Sequence, residues 1–395
     1  MGDHPRIVLT GGGSGGHVYP AVAIAGIAKQ KYPDARLLYV GTRRGAEARV
    51  APARGIDIAY ISIESFRKNI PALALFGGRL IGSVLQARSI LARFNPDLLI
   101  ATGGYSSAPV LLAAAIMRRT GRGGPKILIH EQNVVAGLAN RLGGKFADRI
   151  ATTFPGSNRY FPAGRVVHTG YPLRAQIAAI GRTEARERLG LDPGAYVVFA
   201  FGGSAGARTI NRAIVDALET LLARGDVQVI HAVGRYRGSD YDPEEDTRRR
   251  LEARGLPAAL LDRYHQLVYT EEIETYYSAA DIVVSRCGSG TLFELKKACR
   301  PAILVPKMGS AGEHQLHNAL AVQEEGAAVV IREEQDPEGE KGVMKVEGGE
   351  LAQELLRLKD NPEKREAMAK LLAEESRRMD TPEKIGRILD ELLGG

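Results

Sequence analysis

The sequence predicts an α/β protein in which one doubly wound, parallel-sheet unit is built twice. Apolar runs of strand length alternate with helical patterns through most of the chain, as in parallel sheets covered by helices on both faces. Each half opens the same way, with a strand, a glycine-rich turn and a helix. Arg6-Ile7-Val8-Leu9-Thr10 runs into Gly11-Gly12-Gly13-Ser14-Gly15-Gly16-His17, and Tyr196-Val197-Val198-Phe199-Ala200-Phe201 runs into Gly202-Gly203-Ser204-Ala205-Gly206. At 395 residues the chain also suits two domains that each bury their own core. A glycine turn lets backbone approach a ligand, and the helix start behind it offers unpaired N–H groups and a positive dipole end. Two such turns predict two Rossmann-like domains facing across a cleft that holds a phosphorylated ligand.

In the first half the strands are expected near residues 7–10, 36–40, 98–102, 127–130 and 149–152. Ala21, Ile24, Ala25 and Ala28 share one helix face between the first two. In the second half they are expected near 197–201, 227–232, 267–269, 282–285, 302–305 and 329–331. The charged stretch 235–254 reads as a solvated loop and exposed helix, and 333–342, polar with Pro and Gly, as a surface excursion. The expected division is 1–163 for an N-terminal domain, 164–378 for a C-terminal one, and 379–395 for a helix returning to the first.

Hydrophobic residues make up 44% of the chain and charged ones 25%, the balance of a soluble globular protein. The longest apolar runs, such as 108–117, are too short to span a bilayer. Cys287 and Cys299 have neither zinc-site nor disulfide-framework spacing, and read as reduced thiols of a cytoplasmic protein. The net charge of +7 favours anionic partners without choosing among phosphates, nucleic acid and an anionic membrane.

Gly11, Gly13 and Gly16 fit a dinucleotide fingerprint, but Gly41-Thr42-Arg43-Arg44 stands where an acidic residue is usual. Arginines there suit the 2′-phosphate of NADP, so an NADP-binding oxidoreductase is one alternative. No P-loop lysine follows the turn. His17 opens the helix, either as a general base near neutral pH or as a residue that caps the helix or bonds a ligand oxygen. Gly103-Gly104-Tyr105-Ser106-Ser107 follows another strand end, as a donor-bearing turn or an ordinary tight one. His130-Glu131-Gln132-Asn133 suits a hydroxyl-rich ligand, while Glu131 equally suits the organisation of neighbouring loops.

Arg286-Cys287-Gly288-Ser289-Gly290-Thr291 leads into a helix whose start suits a diphosphate. Glu294, one turn in, suits two ribose hydroxyls, or merely the dipole. Glu313-His314-Gln315-Leu316-His317-Asn318 is dense in donors and acceptors, for a ligand or for solvent. Residues 67–93 hold five basic side chains and no acidic one, interleaved with leucine, isoleucine, valine and phenylalanine. That pattern fits an anionic lipid surface, or a core-facing helix with basic solvent contacts.

Taken in order over about 6–331, the first glycine turn, Gly103-Gly104-Tyr105, His130-Glu131-Gln132-Asn133, Gly202-Gly203-Ser204-Ala205-Gly206-Ala207-Arg208 and the segment from Gln315 to Asn318 resemble the MurG glycosyltransferases. The resemblance implies a GT-B fold and inverting transfer of N-acetylglucosamine from UDP-GlcNAc to undecaprenyl-diphosphoryl-N-acetylmuramoyl-pentapeptide. The product is a β-1,4-linked lipid disaccharide of peptidoglycan synthesis. By the same resemblance Ser14, Gly15, Arg174 and Ser204 contact the donor, and Gly290 and Thr291 hold its diphosphate. Glu294 holds the ribose, and Thr270 reads the uracil edge through backbone. Gln315, Asn318 and Asn133 bond the sugar. Gly13, Tyr105 and Gln132 line the acceptor side. His17 takes the acceptor proton, with Glu131 as second candidate.

A membrane patch of Arg67, Lys68, Phe76, Arg79, Leu80 and Val84 is expected to hold the protein at the cytoplasmic face of the cell membrane, with no nucleic-acid partner. No metal or cofactor is expected, because no Asp-x-Asp site of a metal-dependent sugar-transferase type is apparent and a helix terminus can stabilise departing UDP. His314 replaces the family's usual Gln, and Cys287 its usual Ser. The remaining alternatives are another GT-B UDP-sugar enzyme, such as an epimerase or a transferase with a different lipid acceptor, and a non-catalytic nucleotide-sugar binder.

Overall fold

The structure, a computed structural model, describes residues 4–63, 70–121, 123–172, 180–236, 238, 240–309, 313–337 and 343–394, with backbone alone over 70–77. Arg67, Lys68 and Arg174 lie outside the described residues, as does the side chain of Phe76. The chain forms two compact units, Met1–Arg174 with Met379–Gly395, and Ala175–Arg378.

The first unit holds seven strands: β1 (Arg6–Thr10), β2 (Arg36–Gly41), β3 (Asp57–Tyr60), β4 (Leu98–Ala101), β5 (Lys126–Glu131), β6 (Arg149–Thr152) and β7 (Val166–His168). They lie in the order 3-2-1-4-5-6-7, all parallel. Because successive strand side chains alternate in direction, each apolar run feeds two cores. Ile7, Leu9, Leu98 and Ile100 pack on one face with Ala21, Ile24, Ala25 and Ala28 of the helix Gly15–Lys31. Val8, Leu99, Ala101, Ile127 and Ile129 pack on the other with Ala87 and Leu91 of the helix Ile70–Phe94.

The helix Thr381–Leu393 belongs to the first face, burying Ile385, Ile388 and Leu389 beside β1. Asp390 accepts from the Tyr32 hydroxyl at 2.7 Å and pairs with Lys31 at 2.7 Å. The Thr381 hydroxyl donates to the Thr169 carbonyl at 2.6 Å.

The second unit repeats the plan with six parallel strands: β8 (Tyr196–Phe201), β9 (Val227–Ala232), β10 (Tyr264–Leu267), β11 (Ile282–Ser285), β12 (Ala302–Leu304) and β13 (Ala328–Val330), in the order 10-9-8-11-12-13. A two-stranded antiparallel ribbon, β14 (Glu334–Gln335) and β15 (Met344–Lys345), follows. The helix Arg208–Leu222 and the helix Gly348–Lys359 cover one face. The charged stretch forms the helix Pro243–Arg254, where the Asp242 carboxylate accepts from the amides of Glu244 and Glu245, the usual N-cap arrangement. Asp216 anchors it through Arg250 and Arg254.

The structure departs from the sequence expectations mainly at sheet edges. The strand expected at 267–269 is β10, three residues earlier, and β3, β7 and the ribbon were not expected. β3 and β10 are edge strands whose side chains are mostly half-exposed, so they lack an apolar run. The stretch expected to be a surface excursion begins instead with a buried residue, Glu333. Among the described residues no helix is long and apolar enough to cross a membrane.

Leu389 is fully buried in the first unit. Leu389→Ala is expected to lower the unfolding free energy by about 2–5 kcal/mol. Urea unfolding checks this, and a loss under about 0.5 kcal/mol would show that the terminal helix is dispensable to that core.

Candidate functional site

In an open parallel sheet, ligands gather at carboxyl strand ends where the strand order reverses. In the first unit that point lies between β1 and β4. The turns that follow these strands meet there, because neither carries side chains at the contact. The Gly12 amide donates to the Gly103 carbonyl at 3.2 Å. Gly104, at φ +81°, lies so close that a Cβ on it would sit 2.1 Å from the Gly12 carbonyl oxygen. Gly11 has no room either, since a Cβ there would lie 1.9 Å from the Thr102 hydroxyl oxygen.

His17 stands over this junction, half-buried. Its Nδ1 lies 3.0 Å from the Thr102 carbonyl oxygen and 3.3 Å from the Gln132 Oε1. A carbonyl only accepts, so Nδ1 carries a proton, and in the neutral ring the lone pair is then on Nε2. The Gln132 amide is oriented from its other end: its Nε2 donates to the His130 carbonyl at 2.7 Å and to His130 Nδ1 at 3.1 Å. His130 Nε2 in turn donates to the Gly170 carbonyl at 3.2 Å. Burial lowers the His130 pKa to about 4, so the ring is neutral at pH 7.

Glu131 is buried at the end of β5. Its Oε1 accepts from the Asn133 amide at 2.9 Å and from the Asn133 side chain at 3.3 Å. Its Oε2 accepts from the Gly137 amide at 3.0 Å and the Asn140 side chain at 2.9 Å. With four donors on two oxygens, the carboxylate holds the loop 131–140 together. Tyr105 lies over Gly13, where a Cβ would meet its ring at 2.7 Å, and its hydroxyl is 3.4 Å from that of Thr42. Ser14 is exposed and Gly15 half-buried at the start of the same helix; the Ser14 side chain makes no cap bond.

Sequence reading missed Glu47 here. It is fully buried, accepting from the Thr42 amide and hydroxyl at 2.9 and 2.8 Å and from the Gly13 amide at 3.2 Å. The signal was an acidic residue shortly after β2, beyond Arg43 and Arg44.

In the second unit the order reverses between β8 and β11. Gly206 and Gly234 pack backbone to backbone; a Cβ on Gly206 would lie 2.1 Å from the Val233 carbonyl oxygen. This leaves Ser204 exposed, with its carbonyl accepting from the Arg235 amide at 3.1 Å. The helix Ser289–Ala298 starts after β11. Gly290 and Thr291 lie in its first turn, where amides have no partner within the helix. Glu294 accepts from the buried Tyr277 hydroxyl at 3.0 Å. Asn318 is buried and donates to the Ser289 hydroxyl at 3.2 Å. Gln315 accepts from the Lys307 amide at 2.9 Å, and the Thr270 hydroxyl accepts from the Glu272 amide at 3.0 Å. His314 Nδ1 is buried with no hydrogen-bond partner among the described residues.

Glu333 is the second missed residue. It pairs with Arg286 at 2.6 Å and accepts from the Thr209 hydroxyl at 2.6 Å and the Met308 amide at 3.0 Å. Arg286 also donates to the Val305 carbonyl at 3.2 Å. One carboxylate thus ties together the turn before the helix Ser289–Ala298, the start of the helix Arg208–Leu222 and the segment after β12. Its only sequence signal was its position just past an apolar strand.

In the helix Ile70–Phe94, Leu80 and Val84 pack against the core. Among its described side chains the outward large apolar ones are Ile81 and Leu85, 64% and 58% exposed, with Arg79 also exposed. Of the expected patch, Leu80 and Val84 thus lie on the inner side of the helix and Arg79 on the outer, since adjacent helix positions point about 100° apart.

Two doubly wound sheets, each with a glycine turn and a helix start at its reversal point, are the two Rossmann-like domains of the GT-B architecture. Residues 7–152 match the glycosyltransferase family 28 N-terminal domain, and 197–380 match the C-terminal domain of that family. A protein of Desulforudis audaxviator is 39% identical over 82% of this chain and 85% of its own. One of Desulfitobacterium hafniense strain Y51 is 37% identical over 98% of each. Both carry the name UDP-N-acetylglucosamine–N-acetylmuramyl-(pentapeptide) pyrophosphoryl-undecaprenol N-acetylglucosamine transferase. The crystal structure of Acinetobacter baumannii MurG superposes with a TM-score of 0.71 over 99% of this chain and all of that one, at 23% identity. The chain belongs to glycosyltransferase family 28 and, within it, to the MurG family.

Burial lowers the pKa of His130 to about 4 and that of His231 to about 3. The unfolded chain binds protons at these positions below about 6.5 and the folded one does not, so stability falls as pH drops from about 6.5 towards 4. His130 alone contributes at most roughly 3 kcal/mol to that slope. His130→Asn is expected to flatten the pH dependence of urea unfolding over this window; an unchanged slope would mean that His130 takes up its proton as readily in the fold as in the unfolded chain.

Proposed function

We propose that the protein transfers N-acetylglucosamine from UDP-GlcNAc to undecaprenyl-diphosphoryl-N-acetylmuramoyl-pentapeptide, giving the lipid-linked disaccharide precursor of peptidoglycan. The observation that carries this reading is 37% identity along 98% of both chains to a protein bearing that transferase's name. The second unit takes the nucleotide sugar. Gly290 and Thr291 offer amides to its diphosphate, Glu294 receives the ribose hydroxyls, and Thr270 reads the base through backbone. Ser204, Gln315 and Asn318 serve the rest of the donor. The first unit takes the acceptor against Gly13, Tyr105 and Gln132, with Ser14, Gly15 and Asn133 turned to the donor sugar.

In one direct displacement the acceptor hydroxyl oxygen bonds to the anomeric carbon, the bond from that carbon to UDP breaks, and UDP leaves with the electron pair. The hydroxyl proton goes to His17 Nε2. Fixing Nδ1–H on the Thr102 carbonyl and Gln132 supports this role. The four donors on Glu131 support a positioning role for it instead. Charge developing on the departing diphosphate falls on the helix start at Gly290 and Thr291, without a metal ion.

The acceptor's lipid calls for a membrane surface, reached at the cytoplasmic face. Arg79, Ile81 and Leu85 support that reading, as does Ile116, exposed on the helix Ser107–Arg119 that packs beside theirs. A cavity of about 410 Å³ in the same unit, lined by six basic residues of which Arg118 and Arg149 pair with Asp148 and Glu391, keeps Arg119, Lys126, Lys145 and Arg165 as net positive charge suited to anionic lipid.

The test is transfer of labelled N-acetylglucosamine to a synthetic lipid-linked muramoyl-pentapeptide, with and without EDTA. Acceptor-dependent product in both is expected; UDP binding without product would overturn the acceptor, and loss with EDTA restored by Mg²⁺ would overturn the metal-free step. His17→Ala is expected to lower kcat by about 10²–10⁴ while UDP-GlcNAc affinity stays near normal. A near-normal kcat would remove His17 from the base role. Ile81→Asp with Leu85→Asp is expected to weaken co-sedimentation with anionic vesicles at low salt, and unchanged sedimentation would remove this helix from the membrane face.

A further inference from the structure

The first glycine turn looks in sequence like a phosphate cradle, but its surroundings already contain an anion. The Glu47 carboxylate lies beneath it, fully buried. A Cβ on Gly12 would meet Glu47 Oε1 at 2.5 Å, and one on Gly45 would meet Oε2 at 2.0 Å. A Cβ on Gly41 would meet Glu47 Cγ at 2.5 Å. These three glycines make room for a side chain of the protein itself, not for a ligand.

The carboxylate also uses the turn's donor. The Gly13 amide points to Oε2 at 3.2 Å, and Oε1 takes both the amide and the hydroxyl of Thr42. Since the Thr42 hydroxyl donates to Glu47, its oxygen is left to accept from the Tyr105 hydroxyl 3.4 Å away. The chain of bonds therefore runs from a ring lying over Gly13, through Thr42, to the buried acid.

We propose that Glu47 is a positioning residue that dedicates the first glycine turn to the hydroxyl-bearing end of the acceptor and keeps phosphate off residues 11–13. The Gly13 amide is already spent, and a phosphate over it would face a buried negative charge. Tyr105, steered through Thr42, is set to bond a hydroxyl. A lipid-linked sugar diphosphate then enters with its sugar towards His17 and its diphosphate elsewhere. This inference rests on the acceptor proposed above.

Glu47→Gln keeps the side chain's shape but turns an NH₂ towards the Gly13 amide, donor against donor, and removes the charge. The test has two arms. In the first, inorganic pyrophosphate is titrated into the full chain saturated with UDP, which fills the other diphosphate site. Folded Glu47→Gln is expected to bind pyrophosphate about tenfold or more tightly than the unaltered chain; equal affinity would overturn the proposal. In the second, steady-state transfer by Thr42→Val, which removes the hydroxyl joining Tyr105 to Glu47 and leaves the carboxylate its two backbone amides, is expected to show acceptor KM raised about tenfold with donor KM unchanged. An unchanged acceptor KM, or both rising together, would overturn it even if Glu47→Gln fails to fold. Absence of transfer by the unaltered chain would overturn the acceptor reading instead, and the pyrophosphate arm would still judge Glu47.

Discussion

A Cβ on Gly104 would lie 2.1 Å from the Gly12 carbonyl oxygen, and one on Gly206 would lie 2.1 Å from that of Val233. Each unit therefore depends on two backbone segments touching where no side chain can intervene. The contact sits at carboxyl strand ends, where the parallel arrangement already delivers the loops. It determines where the next helix starts, and so where its first residues stand. His17 owes its place over Thr102 to the first such contact. The second sets the course of the Ser204 turn. Any larger residue at these glycines would separate the loops before it affected a ligand.

Around these contacts, polarity is managed by a few buried acids. Glu47 binds backbone amides of two segments, Glu131 binds two amides of its own loop, and Glu333 binds one amide together with a hydroxyl and a guanidinium. A buried carboxylate is tolerated only when its oxygens are satisfied, and removing it leaves several donors unpaired at about 1–3 kcal/mol each. Such a residue works as a clamp with a stability cost attached to its loss. Among the described residues only Glu333 of the three is paired with a cation, Arg286. That pairing restrains a guanidinium that would otherwise be free to swing towards the helix start beside it.

The strands buried on both faces were legible because they read as unbroken apolar runs, and the glycine turns because they interrupt those runs. β3 and β10 were not, since edge strands need bury little and carry Asp, His and Gln. Glu47 follows a pair of arginines and Glu333 opens a polar stretch, so both look solvated in sequence. Nothing local announces that a carboxylate is surrounded by amides from segments far away in the chain. The helix Ile70–Phe94 shows the same limit in another form. Its basic, apolar character was readable, but its phase was not: Leu80 and Val84 face in while Ile81 and Leu85 face out. The placement of Ser204 and Glu294 after strand ends and of Asn318 at a helix start followed from sequence, whereas their bonds to Arg235, Tyr277 and Ser289 did not.

The hydrogen bonds behind His17 admit one direction only. Gly170 offers a carbonyl, so His130 must donate from Nε2 and accept at Nδ1. That fixes Gln132 with its NH₂ towards His130 and its oxygen towards His17. Two oxygens then hold the proton on His17 Nδ1, and the lone pair on Nε2 follows without any carboxylate partner. Neutral His130 is thus the far end of the device. Once protonated, its Nδ1 would oppose the Gln132 NH₂, the amide would turn over, and two donors would face each other at His17. A fully buried ring thereby also sets the proton address of the half-buried His17.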